Sequence, residues 1–183
     1  MHSTENSFTY AQVESTLARV FDIRDGGMKA FRGRIIHFQR LGLTPSKPGK
    51  GKRIVYTRED VFKWAMSLEL AEFSIEPTTI RFIIHNCWHD IRPHLLCDAV
   101  CDKYFFFHPF FLGRDLPTAD QLGLNRVPET SLAAKVIGGL SEIDQMAENA
   151  HAIGRRFMAK AKARYGLIDL GHLRREVESA LAA

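Results

Sequence analysis

The sequence predicts a mainly α protein with short β segments. A winged helix-turn-helix is expected over residues 1–91, and a smaller α+β region over residues 92–183. Three observations predict this. Two stretches between residues 10 and 41 repeat apolar residues at helical spacing. They are followed by two short apolar stretches around Pro48-Gly49-Lys50-Gly51, a hairpin tip. A third helix then begins at Thr57 and Asp60, whose spacing is that of a capping box.

The first helix is expected from Tyr10 to Phe21, with Thr9 as N-cap and Val13, Leu17, Val20 and Phe21 as its apolar stripe. Arg24-Asp25-Gly26-Gly27 breaks the chain. The second helix is expected from Met28 to Leu41, with Gly42 at its C-cap. At about 100° per residue, Met28, Phe31, Ile35, Phe38 and Leu41 share one arc, while Lys29, Arg32, Gly33, His37 and Arg40 lie on the other side. Leu43 to Lys47 and Arg53 to Tyr56 read as the two strands of the wing. In the third helix Val61, Trp64, Leu68 and Ala71 form the buried stripe, and Phe73-Ser74-Ile75-Glu76-Pro77 ends it. A fourth helix with Ile80, Ile83, Ile84, Cys87 and Trp88 runs to about Asp90, and Pro93 to Ala99 reads as a separate short helix.

Beyond that point the pattern is looser. Lys103 to His108 reads as a buried strand and residues 113–130 as a loop. Ser141 to Arg164 reads as a long helix, Tyr165 to Leu170 as a strand pairing with Lys103 to His108, and Leu173 to Leu181 as a last helix.

Composition bounds the function. Of 183 residues 45% are apolar and 25% charged, ordinary for a globular protein, and the net charge is only +4. That near-balance conceals an asymmetry. From Gly26 to Arg58 there are nine cations (Lys29, Arg32, Arg34, Arg40, Lys47, Lys50, Lys52, Arg53 and Arg58) and no acid. Residues 59–102 then hold eight acids against three bases. A run of cations is most often a solvated face; one carried by a helix and a hairpin, with no acid to offset it, suits a surface that meets phosphates. The candidate DNA contacts are Lys29, Arg32, Arg34, His37 and Arg40 on the helix and Lys47, Lys50, Lys52 and Arg53 on the wing. No charged leader with an apolar run begins the chain, no apolar window approaches a membrane span, and three cysteines do not make a secreted disulfide framework. A cytoplasmic, nucleoid-associated protein without membrane contact is expected.

Within residues 9–90 three motifs resemble the MerR-type transcription regulators. Phe38-Gln39-Arg40-Leu41-Gly42-Leu43 resembles the end of that family's recognition helix, where an aromatic, an acid or amide, Arg and a Gly-Leu pair lead into the wing. Tyr56-x-x-x-Asp60-Val61 resembles its wing-to-helix junction, and Phe73-Ser74-Ile75 with Ile80 its Gly-Phe-Ser-Leu turn. The chain departs from the pattern at Ile36, where the family has a DNA-contacting Arg, at His37, where it has a phosphate-contacting Tyr, and at Ile54, the wing Arg position, with Arg53 one place off. The resemblance implies a homodimer on an inverted-repeat operator in double-stranded DNA, regulation by DNA distortion, and contact with RNA polymerase. It also implies a dimerisation helix, for which Ser141–Arg164 with Ile143, Ala150, Ile153 and Phe157 is the nearest candidate.

Other patterns carry less. His85, Cys87, His89, His94, Cys97 and Cys101 crowd into seventeen residues, and His85/His89 and His94/Cys97/Cys101 have helical spacing that can hold a soft divalent metal. Cysteines beside Leu95, Leu96 and Val100 are more often packed core, so no metal and no cofactor are expected. Tyr104-Phe105-Phe106-Phe107 with Phe110 and Phe111 suits a core strand or an effector pocket. No GxSxG, HExxH or GxxxxGK[ST] pattern occurs, so an enzyme is not expected. The expected function is sequence-specific DNA-binding transcription regulation. A low-specificity architectural DNA-binding protein of nucleoid or phage type, or a metal- or ligand-responsive sensor, is the alternative.

Overall fold

Thr9 starts the first helix, α1 (Tyr10–Val20), as a capping box: its hydroxyl accepts from the Gln12 amide at 3.3 Å while the Gln12 side chain accepts from the Thr9 amide at 2.9 Å. In this computed structural model residues 7–43, 54–97, 100–107, 135–142 and 166–183 are described. α1 ends with Asp22 in the left-handed region (φ 46°), and the Ile23 amide returns to the Ala18 carbonyl at 2.8 Å. After a single 3-10 turn over Asp25–Gly27, α2 spans Met28–Arg40. It closes on the expected glycine. Gly42 has φ 78°, the Leu43 amide reaches back to the Phe38 carbonyl at 3.2 Å and the Gly42 amide to that of Gln39 at 3.0 Å, which is a Schellman closure.

The third helix, α3 (Arg58–Glu72), opens on the expected capping box of Thr57 and Asp60. It stops at Phe73, with Ser74 in the left-handed region (φ 58°), and Pro77 takes the first turn of α4 (Pro77–Leu96). Here the structure departs from the sequence reading: α4 runs through Pro93 without a break, so no separate helix begins there. Pro93 removes one backbone hydrogen bond, but Ile91 and Leu95 on either side of it are fully buried and hold the helix in place.

The chain forms two compact units, Met1–Asp98 with His172–Ala183, and Ala99–Gly171. The expected boundary at residue 92 therefore falls inside α4, and the closing helix α5 (Leu170–Ala182) lies largely in the first unit. The core of that unit is formed by Val13 and Leu17 of α1, Phe31, Ile35 and Phe38 of α2, Val61, Trp64, Ala65 and Leu68 of α3, Ile80, Ile84, Ile91 and Leu95 of α4, and Leu173 and Val177 of α5. Arg58 fastens α5: its guanidinium meets the Glu178 carboxylate, donates to the Leu96 carbonyl at 3.5 Å and lies 5.6 Å over the Phe62 ring. Arg19 adds a bond to the Ala180 carbonyl at 3.2 Å.

The segment expected to form the wing is only partly described. Leu43 is buried at a bend, Ile54 and Val55 carry no strand, and Tyr56 makes an antiparallel bridge to Phe8, through bonds of 2.8 and 2.9 Å. The segment expected to form the ribbon, with Lys47, Lys50, Lys52 and Arg53, lies outside the described residues. So does most of the expected 141–164 helix, with its proposed dimer stripe.

In the second unit, β1 (Tyr104–Phe107) is central to a three-stranded antiparallel sheet, between β2 (Lys135–Gly138) and β3 (Gly166–Asp169). The β1–β3 pairing is the one read from sequence, with Phe105 opposite Ile168 and Phe107 opposite Gly166. Phe105, Phe106 and Phe107 are all buried, and the rings of Phe105 and Phe107 stack at 5.4 Å. Any side chain at position 166 would run into the Phe107 ring, so glycine is required opposite it. β2 had no sequence signal: it is four residues long, and Gly138 closes it with Gly139 just beyond.

Candidate nucleic-acid interface

α2 separates its residues by angle. Phe31, Ile35 and Phe38 are buried, and Lys29, Arg32, Gly33, Arg34, His37 and Arg40 are exposed, with Ile36 half-buried among them. The exposed cations fall into two groups. Arg32 lies on one flank and grips Glu14 of α1 with two parallel bonds, of 2.6 and 2.9 Å. Arg34, on the other flank, holds Glu72 at the end of α3 at 2.7 Å. Both are committed to bracing α2 against its neighbours. Lys29, His37 and Arg40 take no ion pair among the described residues and stand on the side turned away from the core.

The bracing is strongest at Glu14, which is only 9% exposed. A bidentate guanidinium satisfies that carboxylate in fixed geometry. Behind it lies an aromatic stack in which Trp64 meets Tyr10 edge-on at 6.4 Å and Tyr56 at 5.0 Å. Burial and the neighbouring Glu14 carboxylate raise the Tyr10 pKa to about 12. Burial likewise raises that of Tyr56, whose hydroxyl accepts from the Gln39 side chain at 3.1 Å. Tyr56 thus links the end of α2, Phe8 ahead of α1, and α3. The Tyr10 hydroxyl and the Trp64 indole nitrogen are buried without a hydrogen-bond partner among the described residues.

A second polar cluster joins α3 to α4. Glu59 accepts from the Trp88 indole at 2.7 Å, from Arg92 at 2.8 Å, and pairs with Lys63 at 2.8 Å. Burial works to raise the Glu59 pKa, and the bonds from Lys63, Arg92 and Trp88 overcome it, lowering the value to about 2. Lys63 also lies 5.3 Å over the Trp88 ring. These are the residues that the sequence reading overlooked. Glu59 and Lys63 stand four apart, which was a legible signal; Trp88 and Arg92 arrive only with the packing of α4.

The histidine and cysteine residues are dispersed. His85 and His89 lie exposed on α4, His89 pairing with Asp90 at 2.8 Å, while Cys87 is buried on the opposite side. His94, Cys97 and Cys101 are half-buried, and Arg174 of α5 donates to the Cys97 sulfur at 3.5 Å. Among the described residues no three His, Cys, Asp or Glu side chains come together as metal ligands, and no helix is long and apolar enough to cross a membrane.

The interface that α2 offers is therefore a cationic strip backed by a braced core, able to meet anions noncovalently. Comparison with known proteins adds nothing to this geometry: no family model matches the chain, nor does any curated protein or solved structure.

Proposed function

We propose that this chain is a DNA-binding transcription regulator that works without covalent chemistry. The outer face of α2 enters the major groove of double-stranded DNA, and the ribbon of residues 44–53 reaches the adjacent backbone. In the proposed assembly a homodimer binds an inverted repeat, with regulation by DNA distortion and contact with RNA polymerase. These features, like the winged helix and the nucleoid location, rest on the motifs shared with MerR-type regulators.

The observation that supports this reading best is the division among the basic side chains of α2. Arg32 and Arg34 are held by Glu14 and Glu72, whereas Lys29, His37 and Arg40 face outward with no ion pair among the described residues. Charges left unpaired on a helix, followed in the sequence by four more cations and no acid over residues 44–53, suit a polyanion.

Fluorescence anisotropy on duplexes enriched from a random pool tests the proposal. Arg40→Ala is expected to weaken binding about tenfold, and Arg34→Ala less than threefold because its charge is already engaged. Unchanged affinity in Arg40→Ala would remove α2 from the interface. A ratio near one between enriched and random duplexes would instead indicate the low-specificity architectural role.

A further inference from the structure

Lys29, Gly33, Ile36 and Arg40 stand at i, i+4, i+7 and i+11 along α2. At about 100° per residue they fall within an arc of about 60°, opposite the arc of Phe31, Ile35 and Phe38. They form one ridge about 16 Å long at 1.5 Å rise per residue. We infer that this ridge is the base-reading edge of the helix, and that Ile36 reads the 5-methyl group of a thymine. The inference rests on the DNA-binding reading above and names the base chemistry that this reading leaves open.

Two residues on the ridge stand out: an exposed glycine that the fold does not require, and an isoleucine that the fold covers only in part. Gly33 sits exposed in the middle of α2 with ordinary helical backbone, and a Cβ added there would meet nothing within 4 Å. Alanine would fit and would favour the helix. Among the described residues nothing requires a glycine at this position. Its effect is to leave a notch through which another surface can come up against the helix backbone.

Ile36 is the second. It lies half-buried outside the apolar arc, between cations and next to the notch, so that part of an aliphatic side chain remains at the surface among charged ones. In the major groove the one apolar group on a base edge is the thymine methyl, and an aliphatic side chain is its partner. With Gly33 admitting the groove edge, Ile36 comes to the depth of that methyl, and Arg40 and Lys29 are left to guanine or phosphate at the two ends.

The test uses the full chain and a duplex enriched from a random pool, with each thymine replaced in turn by deoxyuridine. That replacement removes the methyl and leaves every hydrogen-bonding group in place. One position per half-site is expected to lose about fourfold in affinity, the worth of one methyl group withdrawn from water. Ile36→Ala should bind the thymine duplex more weakly and no longer distinguish the two bases. Gly33→Ala should unfold at the same or a higher temperature and yet bind at least tenfold more weakly. If no deoxyuridine position changes affinity, or if Ile36→Ala keeps the wild-type discrimination, the thymine assignment falls and the DNA reading stands. Full affinity in Gly33→Ala would overturn the role of the notch, and failure to retain any duplex would overturn both readings together.

Discussion

Cations on the outer face of α2 and cations at the α3–α4 seam have the same chemistry and opposite uses. At the seam Lys63 and Arg92 share one carboxylate, Glu59, with the Trp88 indole as a third partner. On α2 the flanking Arg32 and Arg34 are consumed in the same way by Glu14 and Glu72, but Lys29 and Arg40 on the ridge are not. The difference teaches that charge in this chain is assigned by angle around each helix. Where a helix flank meets another helix, an acid waits opposite; where it meets nothing, the acids are withheld.

Truncation on the inner side of α2 gives the largest expected effect. Phe38→Ala removes a ring that is 1% exposed, and should cost about 3–5 kcal/mol in a urea titration monitored by circular dichroism. A loss below about 1 kcal/mol would mean that α2 is not held by its apolar arc, and the contrast between its two sides would collapse.

The seam comes next. Glu59→Gln leaves two cations without their carboxylate, and should cost about 2 kcal/mol at pH 7. The pH dependence has a definite sign. The folded pKa of about 2 lies below the ordinary 4.5, so ionised Glu59 favours the folded state above pH 4.5. That contribution declines as the pH falls from 4.5 and is gone below about 2. Wild-type protein should therefore lose stability across this window, and the Glu59→Gln variant should lose correspondingly less. Parallel acid titrations of the two proteins would show that the seam is not charge-locked.

The smallest effect sharpens the comparison most. Lys29→Ala and Arg40→Ala, singly or together, should leave the unfolding midpoint within about 0.5 kcal/mol of wild type, since neither side chain is paired within the described fold. A loss above about 1 kcal/mol from either would show that the ridge, like the seam, is part of the scaffold.

Much of the fold was legible because its signals are local. Thr9 with Gln12 and Thr57 with Asp60 cap helices through contacts three residues apart, and Gly42 closes α2 through bonds spanning five. The β1–β3 pairing was readable because Tyr104–Phe107 is buried on both faces and needs strands on either side. Pro93 misled because a local rule, that proline ends a helix, met burial of Ile91 and Leu95, which outweighs one lost backbone bond. In the candidate interface, the presence of nine cations and the membership of the exposed arc of α2 were legible. The capture of Arg32, Arg34 and Arg58 by Glu14, Glu72 and Glu178 was not, because those acids lie 18, 38 and 120 residues away.

By itself the sequence determined, within a residue, where α1 and α2 begin and end and where α3 starts, which side of α1 and α2 is apolar, and that acids are excluded from residues 26–58. These depend on contacts within one or two helical turns, which composition and spacing encode directly. Only the tertiary structure decided which charges are spent within the fold and which remain outward, and that His172–Ala183 closes the first unit. Both outcomes turn on which helix flanks meet across large sequence separations. An ion pair forms only where packing brings its partners within a few ångströms, and no spacing rule carries that distance.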